Sequence, residues 1–149
     1  MKQIIRLTIL SLALYGCRHP AQTIIIREVI VYTDTCDSEF IRKIGQIESG
    51  NIDSVSGENG AGIGRYGIYN ICVKGSGMAD LLGYSHFDMH NPEKSKHVFW
   101  CTMGIFCHTF AQRHGRYPNY EELARMWAGG PVAYKNNKTL RYLNKFRSL

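Results

Sequence analysis

The strongest constraint on this chain lies between residues 91 and 115. Asn91-Pro92-Glu93 is a helix start signal, a capping side chain followed by proline at the first helical position. Gly115 is the matching stop. Between them, Val98, Phe99, Cys101, Met103, Phe106, Cys107 and Phe110 make most of the helix apolar. A long helix of that composition is stable only when other elements pack on it. Residues 92–114 therefore predict the central helix of a mainly α domain.

Shorter helices are legible around it. Phe40, Ile41, Ile44 and Ile47 fall at helical spacing behind the capping candidates Asp34, Thr35 and Asp37, which predicts a helix over 37–49 ending at Gly50-Asn51. A short helix is expected at 76–82. Asn119 and Glu122 form a capping-box pattern for a helix that carries Leu123, Ala124, Met126 and Trp127 and stops at Gly129-Gly130-Pro131. A last helix over 138–147 turns Leu140, Leu143 and Phe146 inward. Residues 50–70 hold six glycines, Gly50, Gly57, Gly60, Gly62, Gly64 and Gly67, a density that indicates a tightly wound loop or hairpin. The 149 residues suit one domain without an internal repeat. A slightly negative mean hydropathy excludes a polytopic membrane protein.

The first 16 residues read as targeting. Lys2 and Arg6 form a positive start and Ile9 to Tyr15 an apolar core, the layout of a secretory signal peptide. Leu14-Tyr15-Gly16-Cys17 resembles the bacterial lipobox, which makes Cys17 a candidate for lipidation and membrane anchoring. Ordinary cleavage near Ala21 is the alternative. Residues 17–36 then form an N-terminal extension, with an edge strand or packed segment over 23–32, and 37–149 the main domain. The expected location is secreted or periplasmic, as an outer-membrane lipoprotein if Cys17 is acylated. Loss of Lys2 and Arg6 takes the net charge from +6 to +4, which favours approach to an anionic surface. No basic stripe with regularly interleaved aromatics and no finger or helix-turn-helix spacing is visible, so nucleic acid is not an expected partner.

An oxidising compartment makes disulfides plausible among Cys36, Cys72, Cys101 and Cys107. Cys101 and Cys107 sit six residues apart on one helix, roughly 9 Å along its axis, which is beyond disulfide reach. Two bridges would tie Cys36 and Cys72 separately to that helix. Four buried thiols are the alternative. His86 and His90 are four apart without the glutamate of a protease metal pattern, and no metal or cofactor is expected. Ser49, Ser54 and Ser56 lack a paired His with an acidic orienter.

Glu48 is the carboxylate that stands out. It sits at the end of the first helix, on the edge of the apolar stripe and facing the glycine-rich segment. Partial desolvation and the helix C-terminus both raise a carboxyl pKa, the environment of a general acid. Spacing alone is also compatible with a helix-terminal glutamate in water. Tyr66, Tyr69 and Tyr84 could stack on sugar faces or pack in the core.

Three segments, in order, carry a resemblance. Ile47-Glu48-Ser49-Gly50-Asn51, then Gly64-Arg65-Tyr66-Gly67-Ile68-Tyr69-Asn70-Ile71, then Ala124-Arg125-Met126-Trp127-Ala128-Gly129-Gly130-Pro131 resemble the signatures of the soluble lytic transglycosylase and goose-type lysozyme superfamily. Asn91-Pro92-Glu93-Lys94-Ser95 and the Tyr134-Lys135 that follow Pro131 also resemble family members. The likeness spans about residues 37–145. It implies a lysozyme-like, mainly α, two-lobed domain with a glycan groove. Peptidoglycan strands would be the substrate and partner, and the protein a monomer.

The resemblance makes Glu48 the catalytic acid/base at the β-1,4 bond between N-acetylmuramic acid and N-acetylglucosamine. It places Ser49, Tyr66, Tyr69, Asn70, Gly129, Gly130 and Tyr134 around the substrate, Ser49 either steadying the catalytic region or touching the sugar. Asn70 stands where the family usually has Gln, and Ala128 where it often has Asn. Asp53 and Glu58 are the candidates for a second carboxylate. If neither faces the groove, the expected route uses Glu48 alone, the substrate's N-acetyl group assisting, with a 1,6-anhydro product favoured over hydrolysis. A non-catalytic peptidoglycan-binding protein of the same fold is the competing expectation.

Overall fold

A computed structural model describes residues 35–149, apart from the side chains of residues 35–37 and 58. The expected signal segment 1–16, the lipidation candidate Cys17, the expected strand at 23–32 and the Cys36 side chain lie outside the described residues. The described chain is mainly α-helical. Six α-helices occur in it: α1 Thr35–Ser49, α2 Asn70–Gly75, α3 Met78–Leu82, α4 Pro92–His114, α5 Tyr120–Gly129 and α6 Leu140–Ser148. Short 3-10 turns at His86–His90, Ala133–Lys135 and Asn137–Thr139 join the later ones.

The helix ends follow local chemistry. The Asn91 side chain accepts hydrogen bonds from the backbone N–H of Glu93 and Lys94, each at 3.1 Å, and Gly115 closes α4 with a left-handed φ of 65°. At α5, Asn119 accepts from the Glu122 N–H at 2.9 Å while the Glu122 carboxylate accepts from the Asn119 N–H at 2.9 Å.

The glycine-rich segment folds into a small antiparallel sheet of three two-residue strands, β1 Ser56–Gly57, β2 Gly62–Ile63 and β3 Ile68–Tyr69, in that order. Ser56 pairs with Ile63, and Ile63 with Ile68. Gly64 is obligatory at the second turn. A Cβ there would overlap the Met89 carbonyl, and its φ of 74° disfavours any L side chain.

One core joins these pieces. Phe40 and Ile44 of α1, Ile68 of β3, Val98, Phe99 and Met103 of α4, Leu123 and Ala124 of α5 and Phe146 of α6 are all buried in it. Phe99 is its centre, with ring centroids 4.9 Å from Tyr66, 4.7 Å from Trp127 and 5.2 Å from Trp100. Full burial of such a ring contributes about 1.5–3 kcal/mol. Helix α4 packs against α2 and α5, and α6 against α5 and α1.

Three details differ from the sequence expectation. Helix α4 buries one face and not its circumference, because Gly104, Ile105 and His108 stay exposed opposite Phe99 and Met103. Leu140 is exposed at the first position of α6, so the inward face of that helix is Leu143 and Phe146. The helix expected at 76–82 is present as α3, and a short helix that the sequence reading did not place, α2, precedes it, the two separated at Ser76-Gly77, where Gly77 takes a φ of 76°.

Candidate functional site

An open cavity of about 560 Å³ lies where α1, β3, α2, α4, α5 and α6 meet. Glu48, Tyr69, Trp127, Gly130 and Tyr142 stand on its wall, beside an apolar stretch of Ile71, Ile105 and Phe106. Among the described residues, Glu48 is the one acidic side chain in the lining. It is half-buried at the last turn of α1.

Two neighbours orient that carboxylate. The Tyr142 hydroxyl donates to Glu48 Oε1 at 2.7 Å across 94 positions of sequence. Burial pushes the Tyr142 phenol far above its ordinary value, and the Glu48 charge and hydrogen bond add to the shift. The phenol therefore stays a proton donor throughout the physiological range. On the other side, Gly67 sits with a φ of 60°, and a Cβ at this position would be 2.7 Å from Glu48 Oε2. Only glycine lets the turn before β3 lie this close to the carboxylate.

The turn itself is anchored from three directions. Trp127 Nε1–H donates to the Tyr66 carbonyl at 3.2 Å, and the Ser49 hydroxyl donates to the Arg65 carbonyl at 2.8 Å. His86 Nε2–H donates to the Ile68 carbonyl at 2.7 Å. Helix α1, the sheet and α5 are thus tied together around Glu48.

The structure sorts the residues expected around a substrate. Glu48, Tyr69, Gly129 and Gly130 line the cavity. Ser49 does not. Its hydroxyl is committed to backbone, donating to Arg65 and accepting from the Ile52 N–H at 3.1 Å, so it steadies the end of α1. Tyr66 is buried in the core against Phe99, and burial raises its phenol pKa. Asn70 is exposed as the first residue of α2 and stands outside the lining. Tyr134 turns to α4, its hydroxyl 2.6 Å from His114 Nε2 and its ring on Phe110. Tyr84 pairs with His97 at 3.2 Å, away from the cavity.

Asp53 is not a second carboxylate of this cavity. Arg65 Nε and Nη2 donate to its two oxygens at 2.9 Å each, and Arg65 lines a separate, polar cavity. The Glu58 side chain lies outside the described ones. The cysteine expectation also changes. Cys72, Cys101 and Cys107 are free thiols, with half-buried side chains whose pKa values burial raises. Cys101 and Cys107 share α4, where the helix rise keeps them apart. Among the described residues no three His, Cys, Asp or Glu side chains converge as metal donors. None of the described helices is long and apolar enough to cross a membrane.

Sequence reasoning overlooked Tyr142, Cys72 and Thr102 as residues of the cavity wall. The signal for Tyr142 was its place beside Leu143 at the margin of an amphipathic helix. Nothing local joins it to Glu48. No family model matches this chain, and no curated protein or solved structure matches it.

Proposed function

We propose that this protein cleaves peptidoglycan at the β-1,4 bond between N-acetylmuramic acid and N-acetylglucosamine, with Glu48 as its single acid/base and a lysozyme-like arrangement of two lobes. The observation that carries this reading is one half-buried glutamate, held by a phenol at 2.7 Å, at the wall of a cavity with no other described carboxylate. The ordered likeness of the segments at Glu48, Tyr66 and Gly129-Gly130-Pro131 to lytic transglycosylases and goose-type lysozymes supports it.

The chemistry follows from having one carboxyl group. Glycosidases with two carboxylates place them about 5–9.5 Å apart. Here Asp53 is committed to Arg65. Glu48 protonates the leaving oxygen, and the N-acetyl carbonyl of the substrate attacks the anomeric carbon from the opposite face. The glycosidic bond breaks as that bond forms. Glu48, now a carboxylate, takes the proton of the sugar's own 6-hydroxyl, whose oxygen displaces the N-acetyl oxygen to give a 1,6-anhydro product. Tyr142 holds Glu48 Oε1 in one orientation through both steps, beside the apolar wall of Ile105, Phe106 and Trp127.

Mass spectrometry of peptidoglycan digested by wild type and by Glu48→Gln tests catalyst and product together. Anhydro products, lighter than hydrolysed ones by one water, are expected from wild type. Loss of about 10²–10⁴-fold in rate is expected for the variant. Water incorporation throughout would assign a hydrolytic lysozyme. Retention of strands without any cleavage by wild type would assign a binding protein, an outcome that the exposed Ala128 in the lining favours over a polar wall.

A further inference from the structure

From Leu123 to Leu149 the chain has six Lys or Arg residues and no Asp or Glu. Three of the six are occupied. Arg125 donates to Thr139 Oγ1 and the Asn136 carbonyl, Arg147 pairs with Glu121, and Lys135 lies over the Tyr134 ring. Lys138, Arg141 and Lys145 are exposed and make no ion pair with any described residue.

Their register places them together. Lys138 leads directly into α6, and positions 138, 141, 142 and 145 are related by steps of three and four, which makes them neighbours on one helix flank. Tyr142 belongs to that set and reaches Glu48 in the cavity. Leu143 and Phe146, on the other side of Tyr142, are buried. The order around α6 is therefore core, cavity, cations.

We propose that Lys138, Arg141 and Lys145 form an anion-binding rim that holds carboxylates carried by the polymer whose bond enters the cavity. This rests on the reading of the cavity as a glycan site and narrows its substrate class to strands that still bear acidic peptide stems, as against bare glycan. Three like charges within one to two helical turns repel one another, and a polyanion along the flank relieves that repulsion. Because the cations are exposed, their contribution acts on capture and is screened by salt. It moves KM and leaves kcat unchanged.

Binding and cleavage are measured with two probes, peptide-bearing glycan strands and the same strands stripped of peptide by an amidase, which leaves a single lactyl carboxylate per N-acetylmuramic acid in place of the several on a stem. Glu48→Gln protein is expected to co-sediment with peptide-bearing strands about tenfold more tightly than with stripped ones at low ionic strength, the difference shrinking as salt rises. The same protein with Lys138→Gln, Arg141→Gln and Lys145→Gln should bind both strands alike, no more tightly than the parent binds the stripped strand. All three side chains are exposed, so circular dichroism of this variant should match the parent. No preference in Glu48→Gln protein, or a preference that survives the triple substitution, overturns the rim. Wild-type cleavage of stripped strands reads the cavity independently. Cleavage without a preference removes the rim alone, and a preference without any cleavage removes the enzymatic reading alone.

Discussion

Tyr142→Phe isolates the contact on which the site depends. The substitution keeps the ring and removes the hydroxyl that lies 2.7 Å from Glu48 Oε1. A hydrogen bond to a charged group contributes about 1.5–3 kcal/mol. Glu48 retains some solvent contact, so the lower part of that range applies, about 1.5–2 kcal/mol. At about 4 °C per kcal/mol for a domain of this size, Tm should fall by about 6–8 °C.

A double-mutant cycle with Glu48→Gln tests the assignment. The amide oxygen introduced by Glu48→Gln still accepts from the phenol, but the bond is then neutral and worth about 0.5–1.5 kcal/mol. Losing the hydroxyl must therefore cost less in the Glu48→Gln background.

Alkaline pH adds a second signature. The folded phenol has a pKa raised above the unfolded value of about 10. Its contribution is complete below pH 10 and declines above it, by about 1.4 kcal/mol per pH unit, as only the unfolded chain ionises there. The Tyr142→Phe protein has no phenol at this position to ionise, so the stability gap between it and wild type should narrow above pH 10. Urea melts across pH 7–11 supply both measurements. Equal costs in the wild-type and Glu48→Gln backgrounds, with a gap independent of pH, would refute the reasoning.

Three other perturbations probe the site and the structure around it. Gly67→Ala puts a Cβ 2.7 Å from Glu48 Oε2 at a φ of 60°. A cost of about 1–2 kcal/mol in a thermal melt should accompany a loss of roughly 10²-fold in glycan cleavage from the displaced carboxyl. Asp53→Asn should leave cleavage at the wild-type level and lower Tm slightly, since its ion pair with Arg65 is a third exposed. A collapse of activity in a folded Asp53→Asn protein would restore Asp53 as a catalytic group. Glu122 has a pKa held down mainly by its hydrogen bond from Arg116. It contributes stability above the ordinary carboxylate range, lost as pH falls through its lower folded value. The acid limb of the stability curve should therefore flatten in Glu122→Gln, as read by denaturant melts from pH 7 to pH 3.

The proposal that Glu48 is catalytic draws on the sequence resemblance and on the cavity separately. The likeness rests on the order of three short segments. The cavity selects Glu48 by burial, by its phenol partner and by the commitment of Asp53 elsewhere. Tyr134 packed on Phe110, Asn70 at the surface and the buried ring of Tyr66 show that a residue in or beside these segments need not face the cavity.

Sequence alone determined both ends of α4 and the start of α5, because caps act within one turn. Asn91, Gly115 and the Asn119–Glu122 pair each satisfy backbone groups two to four residues away. It also determined that the 50–70 segment must wind tightly, since its glycines permit left-handed turns such as those at Gly64 and Gly67. Tertiary structure alone decided which side chains meet. Periodicity places Leu143 and Phe146 on one face of α6, but the partner of Tyr142 lies 94 positions away and is chosen by how α6 docks on α1 and α5. The same docking decided that Tyr66 packs on Phe99 and that Asp53 serves Arg65. Those outcomes depend on the mutual placement of packed elements, which local spacing does not encode.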